Sequence, residues 1–281
     1  MKLLPRFFLI AIVLFTQKIY SQNLTDPPKQ TTTWDMFKYD MGTMFSSVGH
    51  TFSSPFRWKG KQFAQFGGVV AGTGFIFLFD EQTSEFGINQ RSSIPGIIRN
   101  YGKSYSSPEN NYMATGAVYL TGLFTKNEKL RRTGVLLVAS TTSTGLIQQL
   151  LKPVVGRARP TQNLGKATFD PFNSSRDYYS FPSGHAMLAF TNAYAISKQF
   201  KNPWVKAGIY TLGAIPGFSR LWDGQHWLSD VAFSFIVSIV TVESIDRYLD
   251  KKYSEKYNDQ QKAVSWNLNF GPGTIGLSIG F

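Results

Sequence analysis

The 281 residues include no cysteine, which excludes disulfides, thiolate nucleophiles and cysteine-held metals. Charge is also scarce: Asp, Glu, Lys and Arg make up 16%, against roughly 25% in an ordinary soluble domain. The shortage falls on the acidic side, 17 residues against 29 basic ones, for a net charge of +12. No run of five basic residues concentrates that excess, and no nucleic-acid motif accompanies it. An anionic membrane surface or an anionic substrate is therefore the simpler partner, and nucleic acid is not expected. Histidine is limited to three positions, His50, His185 and His226, with no tight carboxylate cluster at ligand spacing, so the sequence predicts neither a metal site nor a cofactor. Long apolar runs are missing too. A bilayer span takes about 20 residues, and the mean hydropathy of -0.15 is low for a chain built mostly of spanning helices.

Apolar residues are nevertheless abundant, at 42% with 15% aromatic. Lys2, Arg6 and the apolar stretch from Phe7 to Phe15 read as a secretory leader over residues 1–22, or as an uncleaved anchor. Residues 23–33, with Pro27, Pro28 and three threonines, punctuate the chain as a linker. Trp34, Phe37, Met41, Met44, Phe45 and Val48 then recur at helical spacing, with Thr33 placed as the cap. They predict an amphipathic helix within residues 34–61 whose other side carries Lys38, Asp40 and Ser46. Six further segments are apolar enough for buried or spanning helices: about 62–79, 111–124, 133–150, 184–199, 203–219 and 227–244. The basic loops at Lys126 to Arg132 and at Lys198 and Lys201 belong on the inner side of a membrane, which puts the loops after 150 and 219 outside. A cleaved leader and six crossings conflict over which side residue 62 starts from. The tail, residues 248–281, ends in two alternating apolar runs around Gly271-Pro272-Gly273 and reads as a β-hairpin. The fold class expected is all-α, a bundle of about six core helices over residues 62–247, membrane-embedded, flanked by the amphipathic helix and the hairpin.

Three clusters carry the chemistry: Lys152 with Arg159-Pro160, then Pro182-Ser183-Gly184-His185, then Ser219-Arg220 with His226 and Asp230. Each lies at a helix edge, and a bundle would gather them into one cationic pocket. Lys152, Arg159 and Arg220 can neutralise a phosphate dianion without a metal, arginine by its planar fork and lysine by its compact charge. Gly184 opens a helix whose free N–H groups favour an anion, and Ser183 adds a hydroxyl. His226 and Asp230, four apart, predict a carboxylate that fixes the imidazole tautomer for nucleophilic attack. His185 remains as the acid for the leaving oxygen and the base for water. Arg157, beside the first cluster, is expected to matter much less, and His50 little.

These clusters resemble the three signature motifs of the type 2 phosphatidic acid phosphatase (PAP2) and vanadium haloperoxidase superfamily, over roughly residues 60–247. The resemblance implies a helical bundle with His226 as nucleophile, Asp230 as its partner and His185 as acid. It implies a phosphorylated lipid or small phosphomonoester as substrate, and a bacterial cell-envelope enzyme, either in the membrane with its active site facing the periplasm or soluble in the periplasm. A vanadium haloperoxidase and a non-catalytic anion-binding envelope protein remain as other readings of the same pocket.

Overall fold

A computed structural model describes residues 32–257, 265–271 and 274–280. The expected leader and most of the linker lie outside the described residues. Nine α-helices occur among the described residues: α1 (Thr33–Ser53), α2 (Gly60–Phe77), α3 (Asp80–Gln90), α4 (Gly96–Tyr105), α5 (Pro108–Phe124), α6 (Glu128–Val155), α7 (Gly184–Ser197), α8 (Pro203–Trp222) and α9 (Leu228–Tyr257). They start where the sequence supplies caps. Thr32, Ser107, Asn127 and Asn202 each accept a hydrogen bond from a backbone N–H two or three residues on, satisfying donors that a helix start leaves free. The cap of α1 is thus Thr32, one residue before the expected Thr33. Strands β1 (Ser265–Gly271) and β2 (Thr274–Gly280) pair antiparallel, with Leu268 opposite Leu277.

The six expected segments correspond to α2 and α5 through α9, whereas α3 and α4 were not anticipated. Helix α3 is polar with no clear apolar stripe, α4 is short but amphipathic, and both pack against α8. The expected face of α1 is shifted: Phe37, Met41, Met44 and Val48 do pack against the core, but partly buried. Its buried stripe is Met36, Asp40, Thr43 and Ser47, while Trp34 and Phe45 stand outward at 64% and 68% exposure. Asp40 is buried because α6 brings it a cation. Arg131 Nε donates to Asp40 Oδ2 at 2.8 Å and Tyr253 Oη donates to Oδ1 at 2.7 Å.

The core divides along the bundle. At the end where α6 begins, Met36, Tyr119, Leu123, Val135, Leu136, Leu249 and Tyr253 form an apolar cluster. Towards the other end the interior turns to small hydroxylated residues. Thr191 Oγ1 donates to Ser238 Oγ at 2.9 Å and to Thr144 Oγ1 at 3.3 Å, the kind of close helix contact that small residues permit in a lipid environment. The outer surface is apolar: α2 buries none of its residues, and Phe63, Phe66, Val70, Leu146, Leu150, Leu212 and Val240 are all exposed.

Among the described residues two helices, α6 and α9, are long and apolar enough to cross a membrane, or three spans if α2 and α3, bent by 60° at their junction, count as one. Arg131 and Lys152 lie about 32 Å apart along α6, close to the roughly 30 Å of a hydrocarbon core. Helix α7, with 14 residues, is too short for a span by itself.

Candidate active site

The chain returns to one end of the bundle three times. Lys152 occupies the last turn of α6, Arg159 the loop that follows, Ser183 the cap position of α7, Gly184 and His185 its first turn, Arg220 the last turn of α8, His226 the turn after it, and Asp230 the first turn of α9. All eight predicted site residues therefore gather at the same end. The loop after α6 begins at Gly156, whose φ of +57° and close approach to Asp170, within 2.0 Å of where a Cβ would sit, admit no side chain. Trp227 Nε1 donates to the Ala158 carbonyl at 2.8 Å and Thr161 N to the Gly224 carbonyl at 3.2 Å, binding the α8–α9 turn to the α6–α7 loop.

His226 is almost fully buried, at 3% exposure. The structure corrects what holds it. Asp230 Oδ2 lies 3.8 Å from His226 Nδ1, too far for a hydrogen bond, and Nδ1 instead meets the Ser180 carbonyl oxygen at 2.5 Å. A four-residue spacing brings the two side chains together only when both ride one helix, but His226 stands in the turn before α9 begins at Leu228. A carbonyl only accepts, so Nδ1 must carry the proton and Nε2 keeps its lone pair. Asp230 acts at one remove. Its Oδ2 accepts from Ser180 Oγ at 2.5 Å and from Trp227 N at 2.9 Å, and its Oδ1 accepts from Arg157 Nη1 at 2.6 Å.

Arg157 is the residue the sequence undervalued. It is buried at 2% exposure and spends its whole fork inside the protein. Nη1 donates to Asp230 and to Ser229 Oγ, Nη2 to Asp80 Oδ2 at 2.7 Å, and Nε to the Lys166 carbonyl at 3.1 Å. Its plane lies over Phe77, Phe169 and Trp227. Asp80, at the start of α3, in turn accepts from Ser229 N and Oγ at 2.8 and 2.5 Å. Asp80 and Ser180 were missed as well. Nothing in their local sequence distinguishes them, and only the fold brings Asp80 to a partner 77 residues away.

The pocket is cationic. Arg159 Nη1 donates to Gln225 Oε1 and Nε to the Arg176 carbonyl at 3.1 Å, while Arg220 Nη2 pairs with Asp223 Oδ2 at 3.0 Å. The Ser183 hydroxyl is buried with no partner, as is Gln148 Oε1, which lies within 2.0 Å of where a Cβ on Gly184 would be. An unpartnered buried hydroxyl at the free N–H groups of a helix start is a donor waiting for an anion. Burial holds the His226 pKa below its usual value despite the nearby Asp230 carboxylate, and Arg159 and Lys152 add to the effect. His185 is pushed down to about 3 by burial first and then by Arg220, His226, Lys152 and Arg159. Both imidazoles are thus neutral in the free site. A bound dianion would offset those cations and let His185 take a proton. Among the described residues no group of three His, Asp or Glu side chains could hold a metal ion.

A model of the PAP2 superfamily matches residues 133–252. A lipid A 1-phosphatase of Rhizobium etli is 32% identical over 120 residues, covering 38% of this chain and 50% of that protein. The undecaprenyl-diphosphatase BcrC of Bacillus subtilis is 38% identical over 61 residues, covering 22% of this chain and 31% of that protein. The chain spans about half the length of the two Rhizobium lipid A 1-phosphatases it matches. The crystal structure of Aquifex aeolicus LpxE superimposes with a TM-score of 0.45 at 17% identity, over 60% of this chain and 96% of that one.

Proposed function

We propose, on the premise that residues 133–252 are a domain of the PAP2 superfamily, that the protein is a phosphatase of lipid phosphates or diphosphates working through a phosphohistidine. The observation that carries this reading is the locking of His226: Nδ1 is committed to the Ser180 carbonyl, burial keeps the ring neutral, and Nε2 is left as a nucleophile among three cations.

Lys152, Arg159 and Arg220, with the Ser183 hydroxyl and the N–H groups that open α7, hold the phosphoryl oxygens and take up charge as it develops. Nε2 of His226 forms a bond to phosphorus while the bond to the leaving oxygen breaks, and that oxygen takes a proton from His185. His185, now neutral, accepts a proton from water, whose oxygen displaces Nε2 and frees phosphate. Asp230 keeps Ser180 in place and balances the imidazolium character that grows on His226.

A lipid substrate is supported by the names of the relatives and by the exposed apolar faces of α2, α6 and α8, which suit a membrane. The opening of the pocket at the Lys152 end of α6, opposite the basic turn at Lys129, Arg131 and Arg132, supports a site on the periplasmic face. The test is phosphate release by detergent-extracted protein, in chelator, from lipid phosphates, lipid diphosphates and a soluble chromogenic ester. Turnover of the lipids is expected, with at least about a 10³-fold loss in His226→Ala. Turnover surviving in that variant, or confined to the soluble ester, would overturn the proposal.

A further inference from the structure

Outside the three motifs, one more cation stands at the mouth of the pocket. Arg176 opens a short 3₁₀ turn, Arg176–Tyr178, capped by Ser175. The turn is fastened to the site twice, by Arg159 Nε donating to the Arg176 carbonyl at 3.1 Å and by Arg159 N donating to the Asp177 carbonyl at 2.9 Å. Its side chain is exposed and makes no hydrogen bond or ion pair among the described residues. The neighbouring carboxylate, Asp177, is engaged instead by the Ser175 hydroxyl at 3.1 Å.

The other cations at this end are mostly committed. Arg157 is enclosed by Asp80 and Asp230, Arg220 is paired with Asp223, and Lys166 lies on the Leu78 carbonyl at 2.9 Å. The two main-chain bonds to Arg159 place residue 176 at the rim of the cation cluster, and its charge reaches Arg159. Three motif cations already match a single phosphoryl group. An unpartnered fourth at the rim suits a substrate with one more negative charge on its leaving side.

We infer that Arg176 determines specificity by binding the second phosphate of a lipid diphosphate, the one that departs attached to the lipid. This rests on the proposed phosphatase reading and narrows its substrate class. In that reaction His226 Nε2 bonds to the terminal phosphorus, and the bond from that phosphorus to the bridging oxygen breaks. The lipid monophosphate leaves with the electron pair, takes the proton of His185, and is held through departure by the Arg176 guanidinium. Water then releases phosphate from His226.

The experiment compares farnesyl diphosphate with farnesyl phosphate, identical in tail, as substrates of the full chain in detergent with chelator. Arg176→Ala should lower kcat/KM for the diphosphate roughly tenfold, the size of one charge-assisted hydrogen bond at an exposed site, and for the monophosphate less than about twofold. Arg176→Lys should fall between. Equal losses on both substrates, or none on either, would overturn the role of Arg176 while leaving the phosphatase reading intact. Wild-type protein that releases phosphate from neither would instead overturn the phosphatase reading and this inference with it.

Discussion

Helix α6 carries a buried arginine near its first turn and is followed by another just past its last, and the two ends use the same chemistry for different purposes. At the first, Arg131 meets Asp40, with Tyr253 completing the carboxylate and the apolar cluster around it. At the other, Arg157 meets two carboxylates, Asp80 and Asp230, in an interior of hydroxyls and cations. Arg131 joins α1 to the bundle, with Tyr119 and Tyr253 donating to the same carboxylate. The Arg157 network continues through Asp230 and Ser180 to the ring that would attack phosphorus. A buried ion pair is weak evidence for stability in itself, yet breaking one is costly because the orphaned charge stays buried. Substitutions at the two ends should therefore look alike in a melting experiment and differ in turnover.

The sharpest break in that likeness is Arg157→Ala. It should cost about 3–5 kcal/mol of stability and at least about 10²-fold in kcat of the folded fraction, because Asp230 loses its counter-charge and Ser180 its fixed neighbour. Thermal unfolding alongside kcat checks both, and a loss of stability with kcat intact would put Arg157 in the same class as Arg131. Arg131→Met should show a similar fall in stability with kcat of the folded fraction within about twofold. Asp40→Asn added to it should recover part of the loss, since both charges are then gone.

Smaller effects separate binding from folding. Ser183→Ala removes a buried hydroxyl that has no protein partner, so stability should hold or rise slightly while KM increases by roughly three- to tenfold. A fall in stability would show that the hydroxyl is satisfied within the fold. For pH, the His226 pKa lies below its usual 6.5. The neutral nucleophile then persists as pH falls through 6.5, and the acid limb of kcat/KM is expected below that value. A limb above it would mean that the Asp230 charge, rather than burial, governs the ring. Least of all, His50→Ala, at a half-exposed ring stacked on Tyr248 at 4.6 Å, should change stability by no more than about 0.5 kcal/mol and turnover not at all.

The two ends also differ in how legible they were. Lys152, Arg159, Ser183, Gly184, His185, Arg220, His226 and Asp230 could be grouped from short-range spacing, since each segment is a helix edge whose sequence pattern is local. The six apolar segments were legible for the same reason, as periodicity is local too. What stayed hidden depends on contacts between distant segments. Asp40 read as a solvent-facing residue because its cation comes from a helix 91 positions later. Arg157 read as an ordinary loop arginine because Asp80 and Asp230 flank it only in three dimensions. Helix α3 lacks a strong stripe and is placed by α8 rather than by its own pattern, while α4, only 10 residues long, carries its stripe over fewer than three turns. The four-residue rule for His226 and Asp230 failed for a subtler reason, a helix that starts two residues too late for both to share its face.

Ser180 joins these observations in a way that alanine scanning would pass over. Its hydroxyl serves Asp230, but the group that orients the proposed nucleophile is its main-chain carbonyl, which every amino acid possesses. Ser180→Ala would therefore leave the imidazole tautomer in place and remove one hydrogen bond from the carboxylate behind it. Evolution can vary that side chain at modest cost while the feature on which the proposed catalysis rests is carried by the path of the backbone. Selection at this position should act on the shape of the segment leading into α7 more than on the identity of residue 180 itself.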